Sequence, residues 1–199
     1  KKGIELEVID YLKSELPKYD LTLISDYGHG FITQNMIDII RDNSKVLAVN
    51  PQTNSANIGF NLITRYHNPN YVCLAEHELR LASQDKYADV KDIAIKNAQV
   101  INTECLIVTL GKKGSFGINK KGGTNKTPVF SSKVVDTVGA GDAFFAFTAP
   151  CFAMGMPLDL ISFIGNAVGA LAVKIPCNKK PVEKYELLEF IHTLLNKGK

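Results

Sequence analysis

Ile4, Val8, Leu12 and Leu16 recur at helical spacing, and Pro17, which lacks an amide donor, stops the predicted helix. DLTLIS at 20–25 then reads as a short strand that ends in the loop DYGHG. Thr33 is placed to cap a helix carrying Met36, Ile37 and Ile40. KVLAVN (45–50), YVCLA (71–75) and ECLIVTL (104–110) predict three more strands, and Asp89 opens a helix running through Ile93 and Val100. GSFGIN and TPVFSS predict a hairpin around the turn KKGG at 120–123. From residue 138 the pattern is helical: one helix follows GAGD, a second covers 157–174 and a third covers 183–196.

Alternating strands and helices predict an α/β fold with a mainly parallel sheet covered by helices on both faces. The strands at 20–25, 45–50, 71–75 and 104–110 are apolar enough to be buried on both faces. Ligands of such sheets bind at the carboxyl ends of the strands. The loops DYGHG, NPQTNSAN, AEHE, GKKG and VGAG all follow strands at that end and are expected to converge on one cleft.

Composition narrows the function classes. A net charge of +3, from 23 basic and 20 acidic residues with no basic block, argues against a nucleic-acid partner. Cys73, Cys105, Cys151 and Cys177 form no CxxC pair and mostly lie in apolar runs, which predicts buried thiols and a cytoplasmic location. The opening KKGIELEVID reads as a helix rather than a signal peptide. Residues 143–175 are largely apolar, but Pro150, Asp159, Asn166 and Lys174 interrupt them. Two buried helices are expected there, not a membrane span.

The candidate chemistry lies in DTVGAGDAFFAF at 136–147. Gly139 and Gly141 free the backbone to turn and to approach a ligand closely. A helix starting there presents unpaired amides and the positive end of its dipole, which suits phosphate. Asp142 would repel an anion held there, unless it accepts the proton of an alcohol attacking that phosphorus. Two other readings stand beside this one. GAGDAF approaches a dinucleotide fingerprint, although Phe144 occupies the place of the third glycine. It is also compatible with a plain glycine turn followed by a first-turn helix charge.

The longer string VVDTVGAGDAFFA resembles the second signature of the ribokinase-like (PfkB-type) carbohydrate kinases, through Asp136, Thr137, Gly139, Ala140, Gly141, Asp142 and Ala146. VTLGKKGSFG resembles their phosphate-facing turn, with Thr109, Gly111 and Gly114. GNAVGALAV resembles the helix beside the nucleotide base, with Asn166 at the family's asparagine. Within the family, SDYGHG and ELRLA are most similar to heptose-phosphate kinases, which are sometimes fused to a nucleotidyltransferase.

The resemblance implies a three-layer α/β/α fold, ATP with Mg2+, and a sugar or sugar phosphate as acceptor. It makes Asp142 the catalytic base and the amides of Gly139, Ala140 and Gly141 the anion hole. It brings forward Thr109, Gly111, Gly114 and Asn166 for nucleotide, and Asp26 and Gly28 for substrate. A monovalent cation such as K+ implicates Asp136 and the backbone at Val138; a turn-capping side chain is the other reading of Asp136. A fused or separate nucleotidyltransferase and a homo-oligomer are the expected partners.

Several positions depart from the family pattern. His29 stands in place of a lysine, and Asn50-Pro51-Gln52 in place of Asp-Pro-Lys. The Asn-x-x-Glu motif appears as Ala75-Glu76-His77-Glu78, which keeps Glu78 as the magnesium candidate. Adjacent helix residues point apart, so Glu76, His77 and Glu78 cannot share one ion, and Glu76 and His77 are expected to be solvated. Phe147 occupies a position that is usually glycine. Loss of two lysines implies a less anionic acceptor or reduced activity. The family's leading strands, lid and sugar-binding glycine pair are expected to precede residue 1, so residues 1–199 correspond to the C-terminal two-thirds of one ribokinase-like domain. Two functions follow: the ATP-binding and catalytic part of a sugar kinase, or a degenerate, non-catalytic nucleotide-binding or assembly module.

Overall fold

A computed structural model describes residues 2–131 and 133–196. Six strands form one mainly parallel, mixed sheet in chain order: β1 (Thr22–Asp26), β2 (Leu47–Pro51), β3 (Tyr71–Ala75), β4 (Cys105–Thr109), β5 (Ser115–Asn119) and β6 (Thr124–Thr127). The helices are α1 (Lys2–Glu15), α2 (Gln34–Asn43), α3 (Glu76–Ser83), α4 (Val90–Ile101), α5 (Ala140–Ala153), α6 (Leu158–Ala172) and α7 (Lys184–Asn196). The chain divides into two compact units. The first runs through Val108 and includes Ile118–Gly123; the second comprises Thr109–Gly117 and the chain from Thr124 onward.

In the first unit β1, β2 and β3 run parallel, with Ile24 beside Val49, Asp26 beside Pro51 and Ala48 beside Tyr71. Every residue of β2, and the first four of β3 and β4, are buried, as their apolar runs predict. β1 departs from that expectation. It ends the strand order, and its side chains alternate: Ile24 and Asp26 are buried while Leu23 and Ser25 are exposed. Thr33 and Asp89 cap α2 and α4 as predicted, accepting from the amides of Met36 and Lys91. In α1 the buried line runs through Ile9 and on to Leu16 just past the helix end, whereas Ile4 is exposed. Glu5 on that line accepts a hydrogen bond from the Thr33 hydroxyl at 2.7 Å.

In the second unit α5 packs on α6, and α6 also packs on β6 and α7. The Phe144 ring lies directly over Gly165, close enough that an added Cβ would collide with it. Ala167, Val168, Ala172, Val182 and Leu187 form a buried cluster, against which Ala140, Ala143 and Phe147 of α5 pack. Phe147 is therefore a half-buried side chain packed against the core. The predicted hairpin forms around 120–123, closed by the Asn119 amide on the Gly123 carbonyl at 3.0 Å. Its second strand is TNKT, not TPVFSS, of which only Thr127 belongs to β6. Pro128 has no amide to extend the ladder. Ser132 lies outside the described residues.

No described helix is long and apolar enough to cross a membrane. Cys73 and Cys105 are buried as predicted, but Cys151 is half-buried and Cys177 exposed, because the latter sits in a turn after α6.

Gly165→Ala is expected to overpack the α5–α6 contact and lower stability by about 1–3 kcal/mol. Phe144→Leu should recover part of that loss in the double variant. Thermal denaturation of the single and double variants measures the coupling.

Candidate active site

In the first unit the loops after β1, β2 and β3 are tied together by buried polar groups. Asp26 ends β1 and is almost wholly buried. Its Oδ1 accepts the Gly28 amide at 2.9 Å, and its Oδ2 accepts the Tyr66 hydroxyl at 2.7 Å and Arg65 Nη1 at 3.4 Å. Arg65 also donates to Asn61 Oδ1 at 2.7 Å and to the Ile32 carbonyl at 3.0 Å. Asn61 in turn donates to the Asp26 and Gln52 carbonyls at 2.8 and 3.2 Å. Gly28 has φ +69, and a Cβ there would fall on the side chains of Asn57 and Asn61. Asp26 and Gly28, the substrate candidates, thus shape the loop through the protein's own groups.

The same economy holds one strand over. Asn50 donates to the Cys73 carbonyl at 2.7 Å and accepts from Gln52 at 3.0 Å. Glu78, the magnesium candidate, is buried; its two oxygens accept the amides of Thr53 at 2.9 Å and Ala75 at 2.8 Å. Ala75 has no oxygen to return the contact, so Glu78 supplies the only side-chain half of this helix cap. Glu76 is not simply solvated: it pairs with Arg80 at 2.8 Å, one turn along α3. His77 and His29 are exposed. No group of three metal-binding side chains converges among the described residues.

In the second unit β4 ends at Thr109, and the turn Gly111–Lys113 follows, closed by the Leu110 amide on the Gly114 carbonyl at 2.7 Å. Gly111 has φ +56 and open space where a side chain would stand. At Gly114, φ +92, a Cβ would collide with the Thr127 carbonyl and Pro128. Gly111 is therefore open to a ligand, while Gly114 is required by packing. Asn166 is buried on α6 and donates to Ser115 Oγ at 2.6 Å and to the Ser162 carbonyl at 2.8 Å, which ties α6 to β5.

The glycine motif opens α5 as predicted. Gly139 is the N-cap with φ +76, and Asp142 lies in the first turn. Ala140 turns its amide back to the Thr137 carbonyl at 3.3 Å. At Gly141 an added Cβ would meet nothing within 4 Å, so the backbone here is approachable from outside. Behind this turn, Ala140 and Ala143 rest on the apolar cluster. Asp136 accepts the Val138 amide at 3.0 Å and the Cys177 amide at 2.8 Å. Those two amide bonds, in that order, hold its carboxyl below the usual range.

Nothing in the hydrophobic pattern singled out Asn61, Arg65, Tyr66 or Asn178. A buried acid at a strand end implies partners, but their positions depend on how 52–70 folds back.

An α/β sheet with an aspartate in the first turn of a glycine-opened helix is the arrangement that the ribokinase-like resemblance implies. The family model described as pfkB family carbohydrate kinase matches residues 7–180, and the chain belongs to that family. The chain is 29% identical over 174 residues to the bifunctional protein HldE of Nitrobacter hamburgensis, covering 85% of this chain and 35% of that protein. It is 28% identical over 199 residues to HldE of Rhodopseudomonas palustris, covering 97% and 39%. The chain thus spans little more than a third of the length of these curated relatives. Among solved structures, a putative sugar kinase from Clostridium perfringens matches with TM-score 0.76 at 15% identity, over 95% of this chain and 58% of that one. The ribokinase of Arabidopsis thaliana, solved with ribose and ATP, matches with TM-score 0.70 at 18% identity, over 92% and 58%. Escherichia coli phosphofructokinase-2 in complex with potassium matches with TM-score 0.77 at 16% identity, over 94% and 62%.

Burial first, then the hydrogen bond to Asp26, pushes the Tyr66 hydroxyl well above its usual range. A raised phenol contributes its stability fully below the ordinary value of about 10 and loses it as pH rises beyond that. Tyr66→Phe should cost about 1–3 kcal/mol at neutral pH, because it leaves the buried Asp26 oxygen short of a donor. It should also flatten the alkaline fall in stability, as urea titrations at neutral and alkaline pH will measure.

Proposed function

We propose that this chain carries the ATP-binding and catalytic part of a sugar or sugar-phosphate kinase. The observation that carries the reading is the first turn of α5, where open backbone at Gly141 adjoins the Asp142 carboxylate. The γ-phosphoryl of ATP lies against the turn Gly139–Gly141 and the positive end of the helix dipole, and the Ala140 amide joins the anion hole by leaving the Thr137 carbonyl. Asp142 accepts the proton of the attacking hydroxyl as its oxygen bonds to phosphorus and ADP leaves. Thr109 and Gly111 border the phosphates, and Gly114 fixes their turn. Asn166 acts by holding α6 to β5 beside the base. Magnesium, when bound with ATP, neutralises charge on the phosphates.

Glu78 and Asp136 each accept one backbone amide on each oxygen, which makes them loop clamps. A carboxylate oxygen has a second lone pair with which to meet a cation. A heptose-phosphate acceptor fits the likeness of SDYGHG and ELRLA to heptose-phosphate kinases, and a nucleotidyltransferase partner fits the description of the HldE relatives as bifunctional. The replacement of two family lysines by His29 and Gln52 favours a less anionic acceptor. A nucleotide-binding module without catalysis is the second reading, supported by the same two residues and by Ala75.

Asp142→Asn in the full-length protein is expected to lower ATP turnover on a sugar acceptor by about 10²–10⁴-fold with ATP affinity nearly unchanged. Near-wild-type turnover would remove Asp142 as the base. Gly141→Ala should act in opposite directions on fold and function. It should raise helix stability by about 0.5–1 kcal/mol while lowering kcat/KM, since the methyl fills the open face. Thermal denaturation and steady-state kinetics read the two effects.

A further inference from the structure

We propose that Asn178 is a positioning residue for the catalytic turn, locked in place by Asp136. This rests on the reading that residues 139–141 hold the transferring phosphoryl group. The backbone before the glycine motif is fixed first, because the amides of Val135 and Asp136 both donate to the Val173 carbonyl near the end of α6. The chain leaving α6 then bends through Pro176–Asn178. Cys177 and Asn178 take φ of +50 and +51, left-handed values that asparagine tolerates and cysteine adopts at a cost. Such a conformation persists only where its surroundings hold it. Here Asp136 does so: one oxygen accepts the Cys177 amide and the other accepts the Val138 amide, so a single carboxylate joins the strained turn to the motif.

The outcome of that joint is the placement of the Asn178 carboxamide. A Cβ built on Gly139 would land on it, and the three nearest atoms are the Oδ1, Nδ2 and Cγ of Asn178. Gly139 is therefore held from two directions. Its own φ of +76 requires glycine, and the Asn178 side chain occupies the space beside its Cα. Ala140 and Ala143 of the same turn rest on the apolar cluster. A turn held by both contacts presents its backbone in one orientation before any ligand arrives, which is the condition for stabilising transition-state charge without reorganisation. Asn178 neither donates nor accepts a proton in the reaction. It acts through Gly139.

The test compares wild type with Asn178→Gly, which keeps the left-handed backbone accessible but removes the carboxamide, and with Asp136→Asn, which weakens the joint while leaving Asn178 in the sequence. Hydrogen–deuterium exchange of the full-length protein should show about tenfold faster exchange in residues 137–143 for both variants, with the buried strands unchanged. In kinetics, kcat should fall about tenfold while KM for ATP stays within about twofold. Unchanged exchange at 137–143 in both variants would overturn the proposal. So would a rise in the KM for ATP with kcat intact, since that is loss of binding and not of positioning. If wild type turns over no ATP, the failure belongs to the kinase reading, and the exchange measurement still decides the role of Asn178.

Discussion

The first turn of helix α5 has two different surroundings. Ala140 and Ala143 pack against the apolar cluster, while Gly141 leaves its backbone open. Side chains small enough for both are available only at the glycines and alanines of the motif. The close approach of Phe144 to Gly165 sets the distance between α5 and α6, and with it the position of the first turn. A core side chain, Phe144, and the candidate base, Asp142, are thus two residues apart because the same helix start fixes both.

The first unit solves a different problem. Burying Asp26 at a strand end requires compensation, and Tyr66, Arg65 and the Gly28 amide supply it. Glu78 does the same for the backbone of Thr53 and Ala75. Carboxamides of Asn50, Gln52 and Asn61 complete the network without adding charge. The loops are consequently shaped by their own hydrogen bonds, and the family-like motif residues among them act as framework.

Much of this was legible in the sequence. The strand–helix alternation, the Thr33 and Asp89 caps and the start of α5 at the glycine motif all rest on local chemistry that a short window contains. The failures share a cause. β1 was expected to be buried on both faces because Leu23 and Ile24 look alike in a window, but only strand order places one of them outside. TPVFSS has strand-like residues, yet the hairpin turn hands its pairing to the polar TNKT. Cys177 is exposed because the chain after α6 bends through a strained turn that no periodicity announces. In the candidate site, Asp142 and its glycines are contiguous and readable, whereas Tyr66, Arg65 and Asn178 lie 40 residues or so from the groups they serve and appear only once the chain folds back.

Arg65 is the only lysine or arginine in the two stretches 27–33 and 52–70, and its guanidinium is committed to Asp26, Asn61 and the Ile32 carbonyl. The loops after β1 and β2 therefore project little net field into solvent. These two loops add little of their own to the long-range steering of a charged molecule, and salt has little of their attraction to screen. What these loops offer a neighbour is short-range hydrogen bonding and shape rather than charge.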